Sequence, residues 1–64
     1  MSLGTLEVRV VFKAEMKKIY NGKIKNIIPL DVQLKDSFIS IQIYGIWKHI
    51  STETINSIWA VKNY

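Results

Sequence analysis

The stretch Phe-Ile-Ser-Ile-Gln-Ile-Tyr-Gly-Ile-Trp-Lys-His-Ile-Ser, residues 38–51, decides the fold of this chain. Its first half alternates isoleucine with polar residues, which places the isoleucines on one face of a strand. Tyr44-Gly45 then interrupts the pattern, either as a two-residue hairpin turn or as a bulge in one bent strand. In both geometries Trp47 and His49 lie on the face away from the isoleucines. The hairpin predicts three opposite pairs: Ile43 with Ile46, Ile41 with Lys48, and Ile39 with Ile50.

Another strand is predicted over residues 6–13, where apolar and polar residues alternate in the same way. Residues 30–35 alternate too, and they predict a further half-buried strand. Ile27-Ile28 is expected to continue the strand before it. Pro29 is expected to end or bend that strand at an edge of the sheet.

Asn21-Gly22 is the strongest short-range hairpin signal in the chain, because both residues tolerate the positive φ of a type I′ turn. A turn at this position would point Ile19 and Ile24 inward. It would pair Tyr20 with Lys23, Ile19 with Ile24, and Lys18 with Lys25. The outer face of this hairpin would then carry Lys18, Tyr20, Lys23 and Lys25.

Two segments allow alternative structures. Residues 14–20 contain helix formers and are predicted either as a strand or as one helical turn. Residues 52–62 suit either a helix or a tight 3₁₀ turn followed by a final strand over residues 58–61. Because threonine, asparagine, isoleucine, tryptophan and valine are poor helix formers, we favour the turn and the strand.

Length and composition favour one small domain over residues 1–64. The 64 residues include no cysteine, so no disulfide stabilises the fold. Five or six short strands predict an all-β barrel with a short 3₁₀ turn before the last strand, since closure removes exposed sheet edges. Residues 1–4 are interpreted as a disordered segment or an expression remnant. The predicted core includes Ile24, Leu34, Ile39, Ile41, Ile43, Ile50 and Ile58.

The C-terminal third resembles the second motif of the Sm-like family, which has a hydrophobic residue, a short polar turn and two aliphatic residues three apart. Ile50, Ile55 and Ile58 stand at the matching intervals, and Gly22 resembles the glycine at the centre of that family's second strand. The resemblance implies a small SH3-like or Sm-like barrel and RNA binding. The family's Arg-Gly pair in the turn and its RNA-binding signature residues are not matched in this sequence.

Positive charge is concentrated in one segment of the chain. The net charge is +4, and residues 13–25 alone hold five lysines against one glutamate. Lysines neutralise phosphates and aromatic rings stack on bases, so this composition predicts a nucleic-acid-binding protein, for DNA or RNA, with mainly phosphate-backbone contacts. The predicted site residues are Lys17, Lys18, Tyr20, Lys23, Lys25, Trp47 and Lys48.

The same features fit a second function class. Lysines also keep a solvated sheet edge soluble, and surface tryptophans often fill contacts between subunits. The alternative is a protein-interaction or self-assembling module that does not bind nucleic acid. In either class, the limited core of so short a chain favours a homo-oligomer.

No motif in the sequence points to an enzyme or to a cofactor. There is no glycine-rich phosphate loop and no nucleophile next to a base, and a single histidine argues against a metal site. We therefore predict no enzymatic activity, no cofactor and no small-molecule substrate. No apolar run is long enough to span a bilayer, which predicts a cytoplasmic protein without a membrane partner.

Overall fold

Five antiparallel strands form one strongly curled sheet, a half-barrel with its apolar residues on the inner face. The computed structural model describes residues 4–61, so most of the predicted disordered or remnant segment lies outside the described residues. The sheet order β4-β3-β2-β1-β5 places β4 and β5 at the two edges. The strands are β1 Thr5–Phe12, β2 Tyr20–Lys25, β3 Phe38–Ile43, β4 Ile46–Ser51 and β5 Ile55–Ala60. The all-β prediction is confirmed.

The β3–β4 hairpin has the predicted register. Tyr44 and Gly45 have φ angles of 54° and 76°, so the connection is a two-residue turn with positive φ at both positions and not a bulge. Trp47 lies opposite Gln42 on the face away from the isoleucines. The opposite pairs are Ile39 with Ile50, Ile41 with Lys48, and Ile43 with Ile46.

The core on the inner face consists of β-branched side chains that interlock across the sheet. Its buried members are Val8, Val10, Ile24, Ile39, Ile41 and Ile43. Leu34, Ile50 and Ile58 are half-buried and pack against this cluster, so the predicted core is confirmed. The alternation of β1 supplies two of the buried valines, as the sequence predicts.

The chain after β4 follows the predicted turn and strand. Thr52–Thr54 is a 3₁₀ turn, and the Thr54 hydroxyl donates a hydrogen bond of 2.7 Å to the Ser51 carbonyl oxygen. β5 begins directly after this turn at Ile55, earlier than predicted, and pairs antiparallel with β1. The 3₁₀ turn therefore redirects the chain from one edge of the sheet to the other.

The predicted hairpin at Asn21-Gly22 is wrong. Both residues lie inside β2, where Asn21 is opposite Arg9 and Gly22 is opposite Val8. The β1–β2 connection is instead the 3₁₀ segment Lys13–Glu15 and the turn after it, which is the helical alternative considered for residues 14–20. Ile19, expected to point inward, is exposed.

Gly22 serves a close approach between strands and not a turn. A Cβ atom at this position would lie 3.1 Å from the Gln42 carbonyl oxygen and 3.1 Å from the Ile41 Cδ1 atom. A side chain on Gly22 would therefore push β3 away from β2. The glycine that predicts a turn in the sequence lies instead where β2 and β3 approach each other closely.

The strand predicted over residues 30–35 is also wrong. The segment instead contains the helix α1, Leu30–Gln33, directly after Pro29. No helix within residues 4–61 is long and apolar enough to cross a membrane. Leu30 and Leu34 are four residues apart, so one helical turn brings both onto the core. A pattern with an apolar residue at every second position also places apolar residues four apart, as in a helical turn. The alternation therefore does not distinguish a strand from a helical turn here, which explains the wrong prediction.

The predicted continuation of β2 through Ile27-Ile28 is wrong as well. Residues 26–28 form a turn and a bend, and both isoleucines are exposed. The Gln33 side-chain amide donates hydrogen bonds to the carbonyl oxygens of Lys25 at 2.9 Å and Ile28 at 2.6 Å. These bonds satisfy backbone groups of the loop, so the chain leaves the sheet at Lys25.

We expect Ile41→Ala to lower the free energy of unfolding by roughly 2–5 kcal/mol, because Ile41 is completely buried and its loss leaves a cavity. Ile27→Ala removes the same atoms from a side chain that is 59% exposed, and it should change stability by less than about 0.5 kcal/mol. Urea denaturation followed by circular dichroism measures both. Equal losses in the two variants would contradict this core.

Candidate nucleic-acid interface

The face of the sheet away from the core, here called the outer face, carries basic, aromatic and amide side chains. Alternation along each strand determines its membership, because residues next to a buried position point away from the core. Its exposed or half-buried members are Thr5, Glu7, Arg9, Asn21, Lys23, Lys25, Phe38, Ser40, Gln42, Trp47, His49, Ser51, Ser57 and Trp59.

Lys23, Lys25 and Trp47 come together on the outer face. Lys23 and Trp47 both lie opposite Gln42, one on each side of β3. The Lys25 ammonium lies 5.7 Å from the centre of the Trp47 ring, a distance at which a cation and an aromatic ring attract. The Trp47 side chain is nevertheless 41% exposed. Three of the seven predicted site residues therefore form one basic, aromatic surface.

A second aromatic pair lies next to this surface. The rings of Phe38 and His49 are stacked, with centroids 5.2 Å apart and planes at 21°. The Ser40 hydroxyl lies 3.3 Å from the His49 Nδ1 atom and positions the imidazole. Phe38 is missing from the predicted site, although its place in the alternation, two residues before Ser40, puts it on the outer face.

Arg9 and Glu7 of β1 also belong to the outer face and are missing from the predicted site. Arg9 lies between Trp59 on β5 and Asn21 on β2, and Glu7 lies opposite Lys23. The alternation of β1 already places both charged side chains opposite its valines. The sequence does not predict the register that joins them to Lys23, because Asn21-Gly22 indicates a different hairpin for this segment.

Tyr20 lies on the inner face, so its predicted position beside Lys23 and Lys25 is wrong. It is half-buried at the end of the half-barrel, where its ring contacts Phe12 edge-on at 5.4 Å and Tyr44 at 6.2 Å. The cause is the phase of β2, in which Tyr20 shares its face with buried Gly22 and Ile24.

The remaining predicted lysines are exposed but separate from the outer face. Lys17 lies in the turn after the 3₁₀ segment, and the Lys18 ammonium lies 4.8 Å from the centre of the Tyr20 ring. Lys48 is opposite buried Ile41, so it extends from the inner side of the edge strand β4. The seven residues therefore occupy three places and not one.

Glu15 controls the ionisation of Tyr20. The Tyr20 hydroxyl donates a hydrogen bond to the Glu15 carboxylate, and this bond raises the pKa of the Tyr20 phenol above its ordinary value. Tyr20 in turn raises the pKa of the Lys18 ammonium. Both shifts favour the protonated forms. The contribution of these Glu15, Tyr20 and Lys18 contacts to stability is therefore present below the ordinary tyrosine pKa and is lost as pH rises through the raised pKa.

No metal site accompanies these side chains. Within residues 4–61, no group of three or more histidine, aspartate or glutamate residues is placed to hold a metal ion. The outer face carries cations, aromatic rings, amides and the Glu7 carboxylate. This chemistry suits non-covalent binding of an anionic, aromatic ligand.

We expect Glu15→Gln to lower the pKa of Tyr20 toward its ordinary value, because a neutral amide oxygen accepts the phenol's hydrogen bond more weakly than the charged carboxylate does. Absorbance of the tyrosinate form during an alkaline titration measures this, and Tyr20→Phe identifies which transition belongs to Tyr20. If the Tyr20 transition has the same midpoint in wild type and in Glu15→Gln, this hydrogen bond does not control the ionisation.

Comparisons of the chain with protein-family models, with curated proteins and with solved structures found no match. The function is accordingly inferred from the residues and geometry of the outer face.

Proposed function

We propose that the chain is a small basic protein that binds nucleic acid, DNA or RNA, on its outer face, mainly through the phosphate backbone. The observation that carries this proposal is the placement of the Lys25 ammonium over the half-exposed Trp47 ring, with Lys23 on the same face. A cation beside an accessible flat ring offers one group for a phosphate and one for a base.

The composition of the outer face supports single strands over duplexes as its ligand. Trp47, Phe38 and Trp59 are all between 40% and 55% exposed, and each ring has area that an unpaired base could cover. Bases in a duplex are stacked on one another and cannot reach such rings. The cations on this face are Arg9, Lys23 and Lys25.

At the level of the fold, we propose an SH3-like or Sm-like barrel. Three features support this: five strongly curled strands, the 3₁₀ turn between β4 and β5, and Gly22 at a close approach in the second strand. Since the Sm-like signature residues for RNA are not matched, binding is proposed from the outer face and not from this resemblance.

Self-assembly is the second candidate function, and one observation favours it. Within residues 4–61, β4 and β5 are each paired on one side only, and unpaired strand edges readily join another chain. Ile46 on β4 points to the inner side but is 58% exposed, so the open side of the half-barrel has an apolar margin. A second copy of the chain could cover this margin in a dimer or a small ring.

We expect the double variant Lys23→Glu with Lys25→Glu to lose binding to a short oligothymidylate, because it replaces two phosphate-binding cations with two anions. Wild-type affinity should fall steeply with salt, with a log–log slope near −0.7 for each phosphate neutralised on a single strand. Both lysines are exposed, so stability should change by only about 0.5 kcal/mol. Quenching of Trp47 fluorescence, measured in a Trp59→Phe background, reports the binding.

The matched control is Lys13→Glu with Lys35→Glu, which changes the net charge equally at two exposed residues in the connecting segments. This control should keep most of the affinity. If both double variants lose binding to the same extent, net charge alone explains the affinity and the outer face is not the site. If wild type does not bind at low salt, the chain is not a nucleic-acid-binding protein.

For self-assembly, we expect sedimentation of the wild-type chain to show a dimer or a small ring at tens of micromolar, roughly the range in which small interfaces associate. Ile46→Lys should shift the population toward monomer, because a charge would be buried in the contact. A wild-type monomer at these concentrations would contradict the proposal.

A further inference from the structure

A groove on the outer face is lined by residues of β1, β2 and β3. Its volume is about 380 Å³, within the range of about 300–1,000 Å³ that is typical of small-ligand sites. The polar side chains that line it are Glu7, Arg9, Asn21, Lys23 and Gln42. The turn at Tyr44-Gly45 also lines it.

The strand register brings these polar side chains together. Glu7 lies opposite Lys23, which lies opposite Gln42, so the three form a row across β1, β2 and β3. Arg9 lies opposite Asn21 in the neighbouring row of the same outer face. The two rows lie two residues apart along the strands, which is about 6–7 Å, so one planar ligand could contact both rows.

The side chains in the groove are available to a ligand. Among residues 4–61, no ion pair and no side-chain hydrogen bond engages Glu7, Arg9, Asn21 or Lys23. Gln42 makes one long hydrogen bond, in which its Nε2 atom lies 3.4 Å from the Gly45 carbonyl oxygen. The Glu7 carboxylate, which accepts hydrogen bonds, and the Arg9 and Lys23 cations, which donate them, therefore line the same groove without bonding to each other.

Guanine is the base that matches this set of groups. Its Watson–Crick edge has two adjacent donors, N1–H and the N2 amino group, which a single carboxylate accepts. Its O6 and N7 atoms are two adjacent acceptors, which Arg or Lys side chains bind in pairs. Adenine has no adjacent pair of donors, and uracil and thymine have one imino donor between two carbonyl acceptors.

We propose that this groove recognises a guanine base in the single strand that the outer face binds. Glu7 accepts hydrogen bonds from N1–H and the N2 amino group, while Arg9 donates to O6 and N7. This inference rests on the proposed nucleic-acid binding and adds base selectivity to it. Trp47 is in the same row as the groove, two strands and about 9–10 Å from Lys23, so it lies within reach of a neighbouring base.

The test uses short oligothymidylates that carry one central guanine, adenine, cytosine or hypoxanthine. Wild type should bind the guanine oligonucleotide about tenfold more tightly than the adenine one, which corresponds to about 1.4 kcal/mol. Hypoxanthine lacks the N2 amino group, so it should lose part of this preference. Quenching of tryptophan fluorescence in direct titrations gives the affinities.

Glu7→Gln should abolish the preference for guanine, because its side-chain amide cannot accept both hydrogen bonds. Glu53→Gln makes the same change in charge outside the groove and should keep the preference. Equal binding of all four oligonucleotides by wild type would overturn the guanine site and leave the phosphate-binding face intact. A preference that survives in Glu7→Gln would also overturn it. If plain oligothymidylate does not bind at low salt, both proposals fail.

Discussion

The contact between β2 and β3 at Gly22 is the constraint on which the rest of this structure depends. The two strands pair at only two positions, Gly22 with Ile43 and Lys23 with Gln42. This short junction joins the β3–β4 hairpin to the other three strands, and it is possible because Gly22 has no Cβ atom to displace β3. The row of polar residues on the outer face crosses the sheet at the same junction. The close contact at Gly22 and the polar row of the candidate site therefore lie at the same junction of the sheet.

The sequence predicts the β3–β4 hairpin well because two independent signals agree there. The alternation of isoleucine with polar residues defines both faces, and Tyr44-Gly45 supplies the turn. It fails at Asn21-Gly22 because a glycine that permits a turn and a glycine that permits close contact look the same in the sequence. Only the identity of the neighbouring strand distinguishes them, and that information is not local. The alternation over residues 30–35 fails similarly, since Leu30 and Leu34 suit a helical turn equally well.

The sequence predicts part of the candidate site, because alternation along a strand is a local signal. Lys23, Lys25 and Trp47 come together because their strands alternate as expected, and alternation fixes the face of each residue. Tyr20 lies on the opposite face because the true strand is in a different phase from the predicted hairpin. Arg9 and Glu7 enter the site only through the pairing of β1 with β2, two segments whose pairing had not been predicted. Charge that is clustered along the chain is thus separated in space, and charge from distant segments is brought together.

The pairing of β1 with β5 has a consequence for how the chain acquires its structure. Val8 lies opposite Ala60, so the pairing of these two strands closes a loop that contains most of the described chain. By contrast, the β3–β4 hairpin closes a loop of two residues and loses little chain entropy when it forms. We expect the hairpin to form first and the β1–β5 ladder to limit the folding rate, as in other proteins dominated by non-local contacts. Until that ladder forms, one side of β1 has no partner strand. The unfinished sheet therefore exposes this strand edge to other chains.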